Sequence, residues 1–222
     1  MTPLLRHYGF RLYSSDWIYH SLFKQFGSDL FSPDDKKAIF NNKEGKQAFA
    51  FWQKMVDDKV AIYISGKEGS AMDSAGKIGM VPRSTGSLHW YLDNATFDFG
   101  VAPFTLGKHK AVSLGGTNVY LFNKSTDIQQ STGWKLLSFM TNKENLTHFA
   151  LNTGYMTSRK SLFESPEIQK IMTDDPRFRV TYDQLVYSFP APKVGPFSEI
   201  NDIIHDVLDR IILEGESVDI LD

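Results

Sequence analysis

Three short loop patterns follow one another along the middle of the chain, and each stands where a regular element is expected to end. The first is Gly76–Met80 leading into Ser84–Ser87, the second is Gly115–Thr117, and the third is Thr153–Tyr155. Each brings backbone N–H groups without a Cβ, small hydroxyl groups or one aromatic ring to a loop. These groups suit a small polar ligand better than acid–base chemistry. The sequence therefore favours a binding protein.

Helical periodicity alternates with short apolar runs, which indicates an α/β fold in which helices pack on a sheet. In one predicted helix, Ala48, Phe51, Trp52 and Met55 form a single buried stripe. The predicted helices cover residues 14–27, 42–58, part of 62–75, 88–93, 127–155, a segment opening at Ser165-Pro166, and 200–211 with Gly215 as its stop. The predicted strands cover residues 77–81, 97–102 and 118–122, and residues 216–222 resemble the opening turn of a further helix.

Composition excludes several classes of function. The net charge is −2 with no block of like charges, so nothing indicates binding to nucleic acid or to an anionic membrane. No apolar run reaches the ~20 residues of a membrane span. The chain has no cysteine, which excludes disulfides, thiolate metal sites and a cysteine nucleophile. No export signal follows Met1.

Motifs for catalysis are missing from the sequence. The six histidines have no metal-ligand spacing such as His-Glu-x-x-His, and no Gly-x-Ser-x-Gly elbow occurs. Two adjacent acidic pairs, Asp57-Asp58 and Asp174-Asp175, do not indicate carboxylates facing each other across a cleft. We therefore expect no catalytic residue, no metal and no cofactor.

Each candidate binding residue also has a structural interpretation. Gly115-Gly116 is consistent with an ordinary tight turn or bulge, and Ser84–Ser87 with a plain helix cap. Arg83, beside that cap, either attends an anionic group or is a surface residue. The aromatic candidates are core residues unless they lie in a cleft; they are Trp17, Trp90 and Tyr155.

The motifs taken together resemble the C-terminal part of the extracellular solute-binding proteins of carbohydrate ABC importers. Their order and approximate spacing hold over nearly the whole chain. The matching segments are Gly9–Phe31, Phe40–Val56, Gly76–Met80, Phe99–Pro103, Gly115-Gly116, a helix through Phe139, Asn142–Asn145 and Thr153–Tyr155. The nearest look-alikes are the glycerol-3-phosphate and oligosaccharide binders.

The resemblance implies a periplasmic-binding-protein-like (type II) lobe, with helices packed on a mixed sheet and a partial second lobe. Residues 1–103 and 156–222 would form the C-terminal lobe. Residues 104–155 would belong to the N-terminal lobe, most of which, with any export signal, would precede Met1. That excursion would leave sheet edges unpaired and apolar faces uncovered, so the chain alone is expected to self-associate or to bind poorly.

The resemblance also implies a ligand site and partners. The residues expected to face the ligand are Trp17, Ser84, Thr85, Gly115, Gly116 and Tyr155. The glycerol-3-phosphate binders carry an arginine where this chain has Lys193, which lacks a bidentate fork and so favours a neutral sugar over a phosphorylated one. The implied partners are a carbohydrate and the permease subunits of an importer, outside the cytoplasm and at the membrane. Three alternatives stay open: binding of glycerol-3-phosphate or a glycerophosphodiester by the same fold, a glycoside-acting enzyme, and an interaction protein without a small ligand.

Overall fold

The computed structural model describes residues 7–104, 107–116 and 118–222. The strands are β1 (Tyr8–Leu12), β2 (Ala61–Tyr63), β3 (Ile78–Met80), β4 (Val112–Leu114) and β5 (Ser188–Pro190). The helices are α1 (Asp16–Phe26), α2 (Lys43–Asp57), α3 (Gly66–Ser74), α4 (Leu88–Asn94), α5 (Asp127–Met140), α6 (Lys143–Thr153), α7 (Lys160–Phe163), α8 (Pro166–Asp174), α9 (Pro176–Asp183) and α10 (Phe197–Asp209). The predicted helices correspond to α1, α2, α3, α4, α8 and α10, and the predicted helical run 127–155 is divided into α5 and α6. Helices α7 and α9 were not predicted.

Local chemistry explains where the helices begin and end. The Asn42 side chain accepts a hydrogen bond from the backbone N–H of Gly45 at 2.8 Å and so caps α2. Ser165 caps α8 in the same way, with proline at the first helical position as predicted. Gly27 and Gly154 end α1 and α6 in the left-handed conformation, at φ of 96° and 85°.

Two parallel sheets hold the strands. In the larger sheet the order is β2-β1-β3, with Phe10 opposite Ala61 and Tyr8 opposite Ile78. In the smaller sheet β4 pairs with β5, and Leu114 lies opposite Pro190. Because the strands are parallel, their carboxyl ends lie at the same edge of each sheet.

Most buried apolar residues lie in two clusters. The larger cluster joins β1, α1, α2 and α10, and its fully buried members include Leu22, Phe23, Trp52 and Leu208. The predicted stripe on α2 is partly displaced, because Phe49 is buried whereas Phe51 and Met55 are only half-buried. The smaller cluster joins α4, α6, α8 and α9 through Leu88, Ala150, Ile168, Met172 and Phe178.

The strand predictions were less accurate than the helix predictions. Residues 97–102 and the described residues 118–122 are not in strands, whereas β1, β2, β4 and β5 were not predicted. Within the described ranges, neither wrongly predicted segment has a strand beside it to complete its hydrogen bonds. The runs that do form strands are short and are selected by pairing partners distant in sequence.

After α10 the chain makes a π-helical turn at Arg210–Glu214 and ends it at Gly215, as predicted. Ile203 on α10 is exposed, so the predicted apolar face is buried only in part. Residues Val218–Leu221 form a 3-10 turn held to α2, because Lys46 forms ion pairs with Asp219 and Asp222 at 3.0 and 2.6 Å. In the described part of the chain, no helix is long and apolar enough to cross a membrane.

Candidate ligand-binding site

The carboxyl edge of the larger sheet is where the candidate site begins. The segments that leave β1, β2 and β3 lead into the amino-terminal ends of α1 and α3 and into the turn at Ser84–Ser87. Open parallel sheets bind their ligands in the crevice outside the carboxyl ends of the strands. Trp17, Ser84 and Thr85 therefore belong to segments on the edge at which a ligand is expected.

The turn at Ser84–Ser87 is a capped 3-10 turn. The Ser84 Oγ accepts a hydrogen bond from the backbone N–H of Gly86 at 3.3 Å, and Thr85–Ser87 then lead into α4. Ser84 is exposed and Thr85 is half-buried, so the hydroxyl group of Ser84 lies at the surface. The predicted helix cap is present, and it coexists with an accessible polar face.

Tyr155 lies on this same turn. A Cβ added at Gly86 would come within 2.2 Å of the Cε2 and Cζ atoms of Tyr155, so the ring rests where a side chain would otherwise stand. A Cβ added at Gly154 would come within 2.8 Å of the carbonyl oxygen of Thr85. The ring of Tyr155 is stacked on that of Phe149, with centroids 5.7 Å apart and planes 9° apart. Tyr155 is nevertheless 44% exposed, so part of its side chain is accessible to a ligand.

Trp17 and the two glycines form a second group. The Oγ of Ser21 donates to the carbonyl oxygen of Trp17 at 2.6 Å and accepts from the backbone N–H of Ser113 at 2.9 Å. Strand β4 runs along α1 in the opposite direction, because the Gln25 amide donates to the carbonyl oxygen of Ala111 at 2.7 Å. If the same register continued by one helical turn, Gly115 would lie level with Trp17, and we expect the two to be neighbours.

The glycine loop itself is open. Gly115 and Gly116 are exposed, and a Cβ added at either would meet no described atom within 4 Å. A side chain would therefore fit at both positions, so steric crowding is not the reason that they are glycines. Access of a ligand to the backbone N–H groups is a reason that remains. Lys193 follows β5, which is parallel to β4, so the loop that carries Lys193 leaves the same sheet edge as the glycines.

One hydrogen bond connects the surroundings of the two groups. The hydroxyl of Tyr13, which follows β1 and precedes α1, donates to the carbonyl oxygen of Pro82 at 2.8 Å. Pro82 leads directly into Ser84, and Tyr13 leads into α1 and Trp17. The structure thus places Tyr155 against the turn that carries Ser84 and Thr85. That Trp17 lies beside the glycine loop stays a prediction. That the two groups face one common cleft stays a prediction.

A buried charge cluster lies behind the first group and was not predicted. Arg11 and Arg83 both donate to Oδ2 of Asp73, at 2.5 and 2.9 Å, and the hydroxyl of Tyr91 donates to the same oxygen at 2.9 Å. Burial raises the pKa of Tyr91 to about 12, and burial also raises the pKa of Tyr13. The sequence indicated a role for Arg83 alone. Arg11, Asp73 and Tyr91 lie on separate elements, and no local pattern in the sequence joins them.

The acidic pairs noted in the sequence lie at helix ends. Across the described ranges, no group of three His, Asp or Glu side chains is placed to hold a metal ion. The adjacent acidic pairs serve the helices: Asp175 caps α9, accepting from the backbone N–H of Arg177 at 3.0 Å and forming an ion pair with its guanidinium. Asp174 and Asp58 make ion pairs with lysines four residues earlier. The described polar groups at the sheet edge are suited to binding a ligand.

A family model described as a bacterial extracellular solute-binding protein matches residues 6–180. No curated protein sequence gives a significant match. Solved structures with a similar fold include UgpB from Mycobacterium tuberculosis in complex with glycerophosphocholine, with a TM-score of 0.85 and 24% identity. That comparison covers 96% of this chain and 55% of UgpB.

Two further structures have the same fold. The ABC substrate-binding protein Lmo0181 from Listeria monocytogenes, in complex with cycloalternan, has a TM-score of 0.80 and 18% identity, covering 99% of this chain and 57% of that one. The maltose/maltodextrin-binding domain MalE from Bdellovibrio bacteriovorus, bound to maltotriose, has a TM-score of 0.80 and 19% identity, covering 96% and 56%. The chain spans little more than half the length of these proteins. The predicted periplasmic-binding-protein-like fold is confirmed.

Proposed function

The chain belongs to the bacterial extracellular solute-binding proteins, and we propose that it carries most of one lobe of the sugar-binding subunit of an ABC importer. A sugar or oligosaccharide would bind between this lobe and the other, and hinge closure would enclose it. The permease subunits would then receive it at the membrane, outside the cytoplasm. The observation that carries the proposal is the open ring of Tyr155, seated over Gly86 beside the hydroxyl groups of Ser84 and Thr85.

These groups match the chemistry of a sugar. One face of a pyranose ring is apolar and stacks on an aromatic side chain, while its hydroxyl groups need donors and acceptors at the rim. In the proposed site Tyr155 supplies the face, and Ser84 and Thr85 supply hydroxyl groups. Gly115 and Gly116 supply backbone N–H groups, and Trp17 supplies a second aromatic edge. We propose no catalytic role for any residue of the site.

A second candidate ligand is glycerol-3-phosphate or a glycerophosphodiester. The likeness to UgpB, whose structure contains glycerophosphocholine, favours it. Lys193 argues against it, because a lysine holds a phosphate as a point charge and without the bidentate geometry of arginine. Lys193 is exposed on the loop after β5, and in the described part of the chain it makes no ion pair.

We propose that residues 104–155 belong to the other, N-terminal lobe and pack against the rest of it. Several large apolar side chains of α5 are exposed there, including Trp134 at 64% and Phe139 at 63%. An apolar surface of this kind needs a partner layer. The other lobe would cover it in a longer protein, and self-association would cover it in this chain alone.

Thermal shift across a panel of ligands tests the sugar proposal. Neutral sugars from mono- to tetrasaccharides are compared with glycerol-3-phosphate and glycerophosphocholine, on this chain and on a version extended upstream. A ligand that binds only the folded state raises the melting temperature. We expect a neutral oligosaccharide to give the largest shift, and the extended version to bind more tightly.

Matched variants locate the site. Tyr155→Ala is expected to weaken binding by about tenfold, since stacked aromatic contacts contribute up to about 1.5 kcal/mol. Tyr155→Phe retains the ring and should retain most of the affinity. Leu213→Ala removes another exposed apolar side chain, on the π-helical turn after α10 and outside the proposed site, and should have no effect. A sugar affinity that is equal in all three variants would contradict the proposed site.

A further inference from the structure

A second pocket lies between α3 and α4, separate from the face of Tyr155. Its volume is about 630 Å³, and its lining includes Arg11, Tyr13, Lys67, Ser70, Arg83 and Trp90. Three of these side chains are cationic, and no acidic side chain among the described residues lines the pocket. A pocket with this lining attracts an anion.

The charges at the floor of the pocket do not balance. Asp73 is the only acidic group that pairs with Arg11 or Arg83 in the described part of the chain, and both guanidinium groups donate to its Oδ2. Two positive charges therefore share one negative charge. Because an excess charge away from water is costly, the cluster has one positive charge to offer to a ligand.

Arg83 has an unused edge toward such a ligand. Its Nε donates to the Tyr91 hydroxyl at 2.9 Å, and its Nη2 donates to Oγ of Ser70 and to Asp73 at 2.8 and 2.9 Å. Among the described residues, Nη1 of Arg83 makes no hydrogen bond. Because the bonds of Nε and Nη2 already hold the guanidinium in place, Nη1 can donate to a ligand without further loss of side-chain entropy.

The cluster is also fixed sterically. The guanidinium of Arg11 lies where a side chain on Gly69 would stand, since an added Cβ would come within 2.3 Å of its Cζ. The same guanidinium lies 4.9 Å from the centroid of the Tyr13 ring. Lys67, in the first turn of α3, is exposed and makes no ion pair in the described part of the chain. It can therefore approach a ligand from the rim.

We propose that this pocket binds an oxyanion of the phosphate or carboxylate class, held by Arg83 and Lys67 against the Arg11–Asp73 pair. The anion is either free in solution or an acidic group on a larger solute. The proposal does not depend on sugar binding beside Tyr155.

Isothermal titration with inorganic phosphate at constant ionic strength, with chloride as the balancing ion, tests the proposal. Lys67→Ala should weaken phosphate binding by about two- to fivefold, as for an exposed ion pair. Arg83→Gln should weaken it by about tenfold or more, as for a hydrogen bond to a charged group. Arg179→Gln is the control, because Arg179 is equally cationic but lies on α9, paired with Asp183.

Lys67→Ala keeps the test decisive if Arg83→Gln folds poorly, since Lys67 is exposed and unpaired within the described ranges. Glycerol-3-phosphate and neutral glycerol form a second arm. If the anion is part of a larger solute, the unsubstituted protein binds glycerol-3-phosphate more tightly than inorganic phosphate, and Arg83→Gln weakens both. If the anion is free, inorganic phosphate binds at least as tightly as glycerol-3-phosphate, and Arg83→Gln again weakens both. Phosphate binding that is absent, or unchanged in both Lys67→Ala and Arg83→Gln, would overturn the proposal.

Discussion

Replacing Gly86 by alanine tests whether the ring of Tyr155 is seated as the structure has it. The new Cβ would lie 2.2 Å from two ring atoms, whereas ordinary contact begins at 3.4 Å, so the ring must move by at least 3.4 − 2.2 = 1.2 Å. Backbone strain does not contribute, because Gly86 is not among the glycines with positive φ. The effect of the substitution is therefore confined to the tyrosine.

The loss of folding free energy in Gly86→Ala depends on how tightly the site is packed and on how exposed Tyr155 is. Inserting a methyl group into a packed site costs about 1–3 kcal/mol of folding free energy. Because Tyr155 is 44% exposed, its ring can swing toward solvent, and we expect the low end, about 1 kcal/mol. The displaced ring also leaves its stack on Phe149, so sugar affinity should fall together with stability.

A double-mutant cycle separates the clash from other effects. In a Tyr155→Ala background the clash is gone, and Gly86→Ala should then stabilise the fold by about 0.4–1 kcal/mol, through the reduced entropy of the unfolded chain. The sign of the effect thus reverses between backgrounds. Urea unfolding followed by far-ultraviolet circular dichroism measures all four proteins. If the two substitutions are additive within about 0.5 kcal/mol, Tyr155 does not rest on Gly86.

Asp73→Asn should destabilise the fold by about 3–5 kcal/mol, because it leaves the buried Arg11 guanidinium without its carboxylate; a loss below about 1 kcal/mol in urea unfolding would contradict this. Burial raises the pKa of Asp29, but hydrogen bonds from His20 and Lys24 outweigh it and lower that pKa from 3.8 to about 2. The stability that Asp29 contributes is therefore complete above pH 3.8 and is lost as the pH falls toward 2. In Asp29→Asn the dependence of the unfolding free energy on pH in that window should be flatter, by a small amount because the carboxylate is partly solvated. Trp134→Glu should reduce self-association measured by light scattering, whereas Lys135→Glu, its neighbour in sequence, should reduce it less although it changes the net charge twice as much; an equal or larger effect of Lys135→Glu would indicate that charge is responsible.

Local sequence determined most helices of this protein, although α7 and α9 were not predicted. The caps at Asn42 and Ser165 and the exits at Gly27, Gly154 and Gly215 all act within one turn of the chain, so the residues at each helix end suffice to predict it. The order of the loops and the lack of catalytic motifs could likewise be read from the sequence without a structure. They were enough to indicate the family, which the match over residues 6–180 confirms.

Tertiary structure alone decided the strands, because a strand is completed by hydrogen bonds to residues far away in the sequence. Residues 97–102 have the apolar character of a strand and yet pair with no described neighbour, whereas Ser188–Pro190 becomes β5 because β4 lies beside it. The meeting of Tyr155 with Gly86 and of Arg11 with Asp73 has the same origin. Each joins positions more than sixty residues apart, and no local pattern in the sequence records such a distance.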